Sequence, residues 1–183
     1  MLGLPGAGKT TLAASLAKRV GAAHLMASAV LRDYAGRNAE VAGILRDSWS
    51  RGENAPDEIV EPVLWNAYST SLAKLVILDG YPRTPNQWKS FLSRGGGLVM
   101  ALSLNVSPEI ALARTTARVG RRAIDALPAR LEHGILAEVE TVRSLVSAIP
   151  ADRCLHLDAD TLSAAEVLKI AADRTEKALG GGW

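Results

Sequence analysis

Eight residues near the start of the chain, Gly3-Leu4-Pro5-Gly6-Ala7-Gly8-Lys9-Thr10, have the types and spacing of a phosphate-cradling loop. They fit G-x-x-x-x-G-K-[ST] at every fixed position. Glycines let the backbone turn successive N–H groups inward around anionic oxygens, and a helix that follows offers its positive N-terminus to the same oxygens. Lys9 supplies a mobile positive charge for the β/γ-phosphates of a nucleoside triphosphate, and the Thr10 hydroxyl suits Mg²⁺. The bland alternative is a glycine-rich turn ahead of a helix. The complete match and the helical pattern behind it favour phosphate binding. Such a loop should hang from a buried strand, yet only Met1 and Leu2 precede it. The expectation is therefore that residues upstream of this start encode an apolar strand.

A second chemical stretch is Asp79-Gly80-Tyr81-Pro82-Arg83-Thr84-Pro85-Asn86-Gln87, directly after the unbroken apolar run Leu75-Val76-Ile77-Leu78. An acid at the carboxyl end of a buried strand, beside a phosphate loop, can hold Mg²⁺ directly or through water. Gly80 permits close approach of a ligand. Arg83 carries a planar fork that matches a phosphate, and Gln87 an amide that can both donate to and accept from a nucleobase edge. The plain alternative here is a helix-capping acid followed by a surface turn.

The elements that must position these residues follow from pattern. Leu12, Leu16 and Val20 recur at helical spacing behind the loop. Ala23 to Met26 reads as a short strand and 28–72 as several short helices, broken at Gly52 to Pro56. Pro56-Asp57-Glu58 suits a helix start. Leu75–Leu78, Leu98–Val106 and Leu155–Leu157 read as strands of a parallel sheet. Helices are expected over Pro108–Arg118, with Ile110, Leu112 and Ala113 inward, and over Leu162–Leu179. Another helix carries the stripe Leu127, Leu131, Leu136, Val139, Val142 and Leu145. Strands alternating with helices imply a three-layer α/β/α fold with a parallel central sheet. Ligands in such folds bind at the carboxyl ends of the strands, which should gather the Gly3 loop, Asp79 and the end of the strand near Val106 on one edge.

Composition bounds the partners. A chain of 183 residues reads as a single domain over 1–183, and 48% hydrophobic content supports a packed core. A net charge of +2 is too small to argue for nucleic acid. Cys154 is the only cysteine, which excludes an intramolecular disulfide and a cysteine-built zinc site; it reads as a small buried residue in a strand. No apolar run reaches the ~18 residues of a membrane helix, and the start lacks a signal-peptide layout, so the cytoplasm is the expected compartment. Gly180-Gly181-Gly182-Trp183 reads as a frayed tail, His24, His133 and His156 as structural, and Trp49, Trp65 and Trp88 as packing residues.

In these residues the chain resembles the adenylate kinases, within the nucleoside monophosphate kinases. Gly3–Thr11 is similar to their GxPGxGKGT signature, and Asp79–Gln87 to D-G-F-P-R-T-x-x-Q with Tyr81 in place of Phe. Gly52-Glu53-Asn54-Ala55-Pro56-Asp57-Glu58 resembles the segment that holds the monophosphate nucleoside, and Arg114 with Arg118 matches the R-x-x-x-R pair leading into the lid. The resemblance implies a P-loop fold with a helical monophosphate-binding insertion at 26–72, a short lid at 118–130, and transfer of the γ-phosphoryl of ATP to AMP. It implies that Gly6, Ala7, Gly8, Lys9, Thr10, Thr11 and Arg114 hold ATP. Thr10 and Asp79 would serve Mg²⁺, without zinc. Arg32, Ala55, Gly80, Arg83 and Gln87 would hold AMP. Lys9, Arg83, Arg118, Arg121, Arg122 and Arg130 would surround the moving phosphoryl. A monomer is the family-level expectation.

The chain departs from the family pattern at several places. The S-T-G-D segment aligns with Met26-Ala27-Ser28-Ala29, so its aspartate becomes Ala29, which lowers the expected turnover and leaves the acceptor base open. Thr10 stands where Gly is usual. The lid pattern is reduced to Arg121-Arg122-Ala123-Ile124-Asp125. A UMP- or CMP-type kinase, and a nucleotide-binding module with little catalysis, are the alternative readings.

Overall fold

The computed structural model describes residues 1–51, 53–119 and 127–180, with side chains apart from those of 118, 119 and 127–133. The expected lid sequence at 120–126 and the glycine-rich tail at 181–183 lie outside the described residues.

Helix α1, Lys9–Val20, starts at Gly8 and stops at Gly21, both left-handed with φ of 95° and 67°. Strand β1, Ala23–Met26, pairs in parallel with β2, Val76–Asp79, bringing Met26 opposite Asp79. Between them, 27–69 forms three helices: α2 (Ala27–Ala35), α3 (Ala39–Ser50) and α4 (Asp57–Ser69). The Asn38 side chain caps α3 by accepting from the Val41 N–H at 3.1 Å. Helix α5, Pro85–Ser93, has Thr84 as its cap and proline in its first turn. Strand β3, Ala101–Asn105, pairs in parallel with β4, Cys154–Asp158. Helices α6 (Pro108–Val119) and α7 (Leu127–Ser147) connect them, and α8 (Ala164–Gly180) closes the chain.

The mixed α/β fold with parallel strands and mostly helical content agrees with the expectation, and the differences have physical causes. Helix α8 begins at Ala164 because Ser163 and Glu166 form a reciprocal cap: the Ser163 N–H donates to Glu166 Oε2 at 2.9 Å and the Glu166 N–H to Ser163 Oγ at 3.3 Å. On α6 the buried residue is Ala111, and Ala113 is exposed. On α7 Ile135 is buried, whereas Leu136 is 52% exposed. At about 100° per residue, the line through Ile135, Val139, Val142 and Leu145 leaves Leu136 on the flank.

Two helical layers cover the strands. Helices α1 and α8 pack on each other, and their residues Leu12, Leu16, Val167 and Ala171 share one cluster with Leu102, Leu104 and Leu157. On the other side Leu31, Leu64, Tyr81, Trp88, Phe91 and Leu145 cluster with Ala101. A third cluster, Leu4, Ala111 and Ile135, fastens the phosphate loop to α6 and α7.

The parallel strands ladder as two pairs, β1–β2 and β3–β4. Met1 and Leu2 lie between them. The Leu2 N–H donates to Leu102 O at 2.8 Å, the Leu104 N–H to Leu2 O at 3.0 Å, and the Met1 amine to Leu78 O at 2.8 Å. Two residues reach one rung on each side, too few for the continuous ladder of an ordinary strand of about five residues.

One consequence can be measured. Tyr81 is 2% exposed and, among the described residues, its hydroxyl has no hydrogen-bond partner. Burial, with the nearby Glu61 carboxylate, pushes its pKa up to about 12. Removing an unsatisfied buried hydroxyl relieves about 1 kcal/mol, so Tyr81→Phe should raise Tm by roughly 2–4 °C. An equal or lower Tm would mean that the hydroxyl is satisfied.

Candidate active site

The phosphate loop owes its path to glycine at specific positions. Gly3 has φ 131°, and a Cβ there would lie 2.5 Å from Leu104 O; at Gly6, φ 83°, it would lie 2.6 Å from Ala111 O. Any side chain at either position collides with backbone, so the loop can lie tight against β3 and α6 only with these residues. Gly8 ends the loop without a side-chain cap on α1, which leaves the first-turn amides of that helix uncapped by any side chain. Lys9 arches back across the loop, its Nζ donating to Gly3 O at 2.7 Å and Leu4 O at 2.8 Å. Thr10 and Thr11 are exposed on the first turn of α1.

A cleft of about 440 Å³ opens beside the loop. Lys9, Thr10, Ala55, Asp79, Gly80, Arg83 and Gln87 all line it, although they come from three separate stretches of chain. Asp79, 3% exposed, ends β2 with its Oδ2 3.3 Å from His24 Nε2. Gly80 takes φ 80° and turns the chain away from the strand. The Arg83 fork is doubly engaged: Nη1 donates to Asn54 Oδ1 at 2.6 Å, and Nη2 to Glu138 of α7. Gln87 is buried, accepting from the Arg83 N–H at 2.7 Å and donating to Asp57 Oδ1 at 2.6 Å. Its amide has one further donor and one further acceptor position.

A second cavity, about 270 Å³, lies along the loop's other flank and is lined by Gly6, Ala7, Gly8, Thr11 and Arg114. The Arg114 Nη2 donates to Ala159 O at 3.0 Å, across the carboxyl end of β4. The loop thus has a cavity on each flank, one toward Asp79 and one toward Arg114.

Most of the expected site residues line one cavity or the other. Arg32 does not: it is exposed on α2 and donates to Ser28 Oγ at 3.4 Å, and it is Ser28 that lines the cleft. Arg118 and Arg130 lie on α6 and α7, but their side chains are outside the described residues, as are Arg121 and Arg122 altogether. Trp49, expected as packing, is 40% exposed and lines the cleft. Cys154 is half-buried in β4, and burial pushes its thiol pKa up. The sequence reading assigned no role to Asn54, Asp57, Glu138 or the His24 contact. Asn54 and Asp57 stand inside a motif already quoted and could have been found there. Glu138 sits on a helix without a motif and carried no signal.

The donor set suits Mg²⁺. Thr10 brings a hydroxyl and Asp79 a carboxylate to one cleft beside Lys9, the hard oxygen ligands that this cation prefers. Among the described residues, no group of three or more His, Cys, Asp or Glu forms a separate metal cluster.

Comparison with known proteins points the same way as the site. The family model described as Adenylate kinase matches residues 1–176. The chain is similar to the adenylate kinase of Rickettsia bellii, 35% identical over 118 residues that cover 64% of this chain and 56% of that protein. It is similar to the adenylate kinase of Thermus thermophilus, 35% identical over 125 residues, 67% of this chain and 63% of the relative. It is also similar to that of Thermotoga neapolitana, 35% identical over 123 residues, 64% and 56%. The matched region thus spans 56–63% of the length of these relatives. With a family match running through the phosphate loop, the Asp79–Gln87 turn and α8, the chain belongs to the adenylate kinase family.

Proposed function

We propose that the chain transfers the γ-phosphoryl of ATP to the phosphate of AMP, producing two ADP. The observation that carries this reading is the phosphate loop with a cavity on each flank, the acidic and amide groups on one side and Arg114 on the other. In the transfer an AMP phosphate oxygen forms a bond to the γ-phosphorus while the bond to the β–γ bridging oxygen breaks, and ADP leaves. Little covalent chemistry is asked of the protein. It must hold two anions in line and place positive charge around the three equatorial oxygens. Bound Mg²⁺, held by Thr10 with Asp79 orienting its water ligands, would supply charge neutralisation at the phosphates.

Each residue then has a task. Gly6 to Thr11 hold the donor phosphates through backbone N–H groups and the start of α1. Lys9 exchanges its carbonyl partners for phosphate oxygens. Arg114 flanks the ATP cavity. Arg83 receives the acceptor phosphate, which replaces Glu138 at the guanidinium; Arg32 approaches it from α2. Gln87, held by Asp57 and the Arg83 N–H, presents its spare N–H and spare lone pair to the adenine edge, with Ala55 and Gly80 shaping the pocket. Arg118 faces the transferring phosphoryl, and at least one or two of Arg121, Arg122 and Arg130 close over the phosphates to exclude water, which would otherwise turn transfer into ATP hydrolysis. We attach to this reading a cytoplasmic monomer that binds no nucleic acid. No helix among the described residues is long and apolar enough to cross a membrane.

A panel of nucleoside monophosphates with Mg-ATP tests the reading. ADP formation dependent on AMP is the expected result. Diphosphates from UMP or CMP but not AMP would assign a pyrimidine acceptor, and ATP binding without transfer to any acceptor would overturn the reading. Lys9→Ala and Arg83→Ala should each lower kcat/KM by roughly 10²–10³-fold; near wild-type rates would refute the assigned roles. Glu138→Gln removes the carboxylate that competes for Arg83. It should lower the KM for AMP several-fold with little change in kcat, and a raised KM would show that Glu138 helps instead of competing.

A further inference from the structure

Arg83 is fixed at both ends. Its backbone N–H donates to Gln87 Oε1 at 2.7 Å, and its guanidinium Nη1 donates to Asn54 Oδ1 at 2.6 Å. Gln87 in turn donates to Asp57 Oδ1 at 2.6 Å. Asn54 lies in the connection between α3 and α4, and Asp57 opens α4; Arg83 and Gln87 belong to the turn after β2 and the start of α5. Two residues of one segment thus hold two of the other. The connection is stiff for a loop. Ala55 is buried beside the cleft, Pro56 has φ −58°, and the proline ring restricts the residue before it to extended backbone. Asn54 is exposed, yet it grows from this pinned stretch. Its short side chain turns about two bonds only, so holding it still costs little entropy. Arg83 is long and partly exposed, and its head would sample many rotamers without a partner. A guanidinium only donates, so the carbonyl of the Asn54 amide is the end that faces it.

We propose that Asn54 is a positioning residue for Arg83: its carbonyl keeps Nη1 pinned while an incoming monophosphate takes the edge formed by Nε and Nη2 in place of Glu138. The two partners of the guanidinium have different parts because their charges differ. Glu138 and a phosphate are both anions and need the same N–H groups, so they repel and exclude one another. Asn54 Oδ1 is neutral and sits on the other terminal nitrogen, so it stays. A guanidinium held at Nη1 presents its remaining edge in a fixed plane, which bidentate recognition of a phosphate requires. Without Asn54 the head is held by Glu138 alone. The phosphate must then displace that carboxylate and also order the side chain it has released, which weakens binding. This inference rests on the reading that Arg83 receives the acceptor phosphate.

Titration calorimetry without ATP tests it, with AMP and adenosine as the two probes. Asn54→Ala should weaken AMP binding roughly three- to tenfold, as for the loss of one solvent-exposed hydrogen bond, and leave adenosine binding unchanged. Tm should stay within about 2 °C, since the residue is exposed. In the Arg83→Ala background, Asn54→Ala should have no further effect on AMP, because Asn54 acts through the guanidinium. Equal losses for AMP and adenosine would place Asn54 in the nucleoside pocket or the fold and overturn the proposal. So would an AMP affinity unchanged by Asn54→Ala, or losses that add in the double variant. No AMP binding, or binding that Arg83→Ala leaves untouched, would overturn the reading of Arg83 as the anchor of the acceptor phosphate, and this inference with it. A chain that binds AMP in the expected pattern but transfers no phosphoryl would overturn the transfer alone and uphold the part assigned to Asn54.

Discussion

The backbone of Met1 and Leu2 is the joint on which the rest of the molecule depends. Its three hydrogen bonds connect the β1–β2 pair, which carries Asp79, to the β3–β4 pair, against which the phosphate loop folds. The loop starts at the next residue, so its position relative to Asp79 and Arg83 is inherited from those contacts. The small cluster of Leu4, Ala111 and Ile135 braces the loop from the other side, and the clash that any Cβ at Gly3 or Gly6 would meet holds it against β3 and α6. A slight shift between the two halves would separate Lys9 and Thr10 from Asp79, and phosphoryl transfer tolerates little misplacement.

The charged groups of the cleft are already paired within the protein. Lys9 is tied to Gly3 and Leu4 carbonyls, Arg83 to Asn54 and Glu138, and Gln87 to Asp57. Arg83 and Glu138 are 38% and 22% exposed, so water screens their attraction and the pair adds little to stability. An anion entering the cleft would have to replace some of these internal partners. The contact with Glu138 ties the Arg83 guanidinium to α7.

Much of this was readable in the sequence, for reasons that differ by residue. The phosphate loop was legible because backbone sterics leave glycine no substitute at Gly3 and Gly6. Thr84-Pro85 announced the start of α5, and Val76-Ile77-Leu78 a buried strand, since cap and strand preferences are local. The misread faces of α6 and α7 came from stripes rich in Ala and Leu, where a rotation of one residue exchanges Ile135 for Leu136 without altering the apolar count. Trp49 was read as packing because a tryptophan carries no local mark of which side of a helix becomes a cleft wall.

The sequence by itself determined the chemistry on offer: a loop for phosphates, an acid at a strand end, an arginine fork and an amide. Those depend on side-chain type and short-range spacing, which the chain states outright. Only the tertiary structure decided who meets whom. Glu138 reaches Arg83 from 55 residues away, and His24 reaches Asp79 from an equal separation, because parallel strands and crossover helices bring distant segments to one edge. The same long-range geometry leaves a cavity of about 540 Å³ between β2 and β3. Strand pairing is a contact between segments far apart in sequence, so its gaps become visible only when both edges are in place.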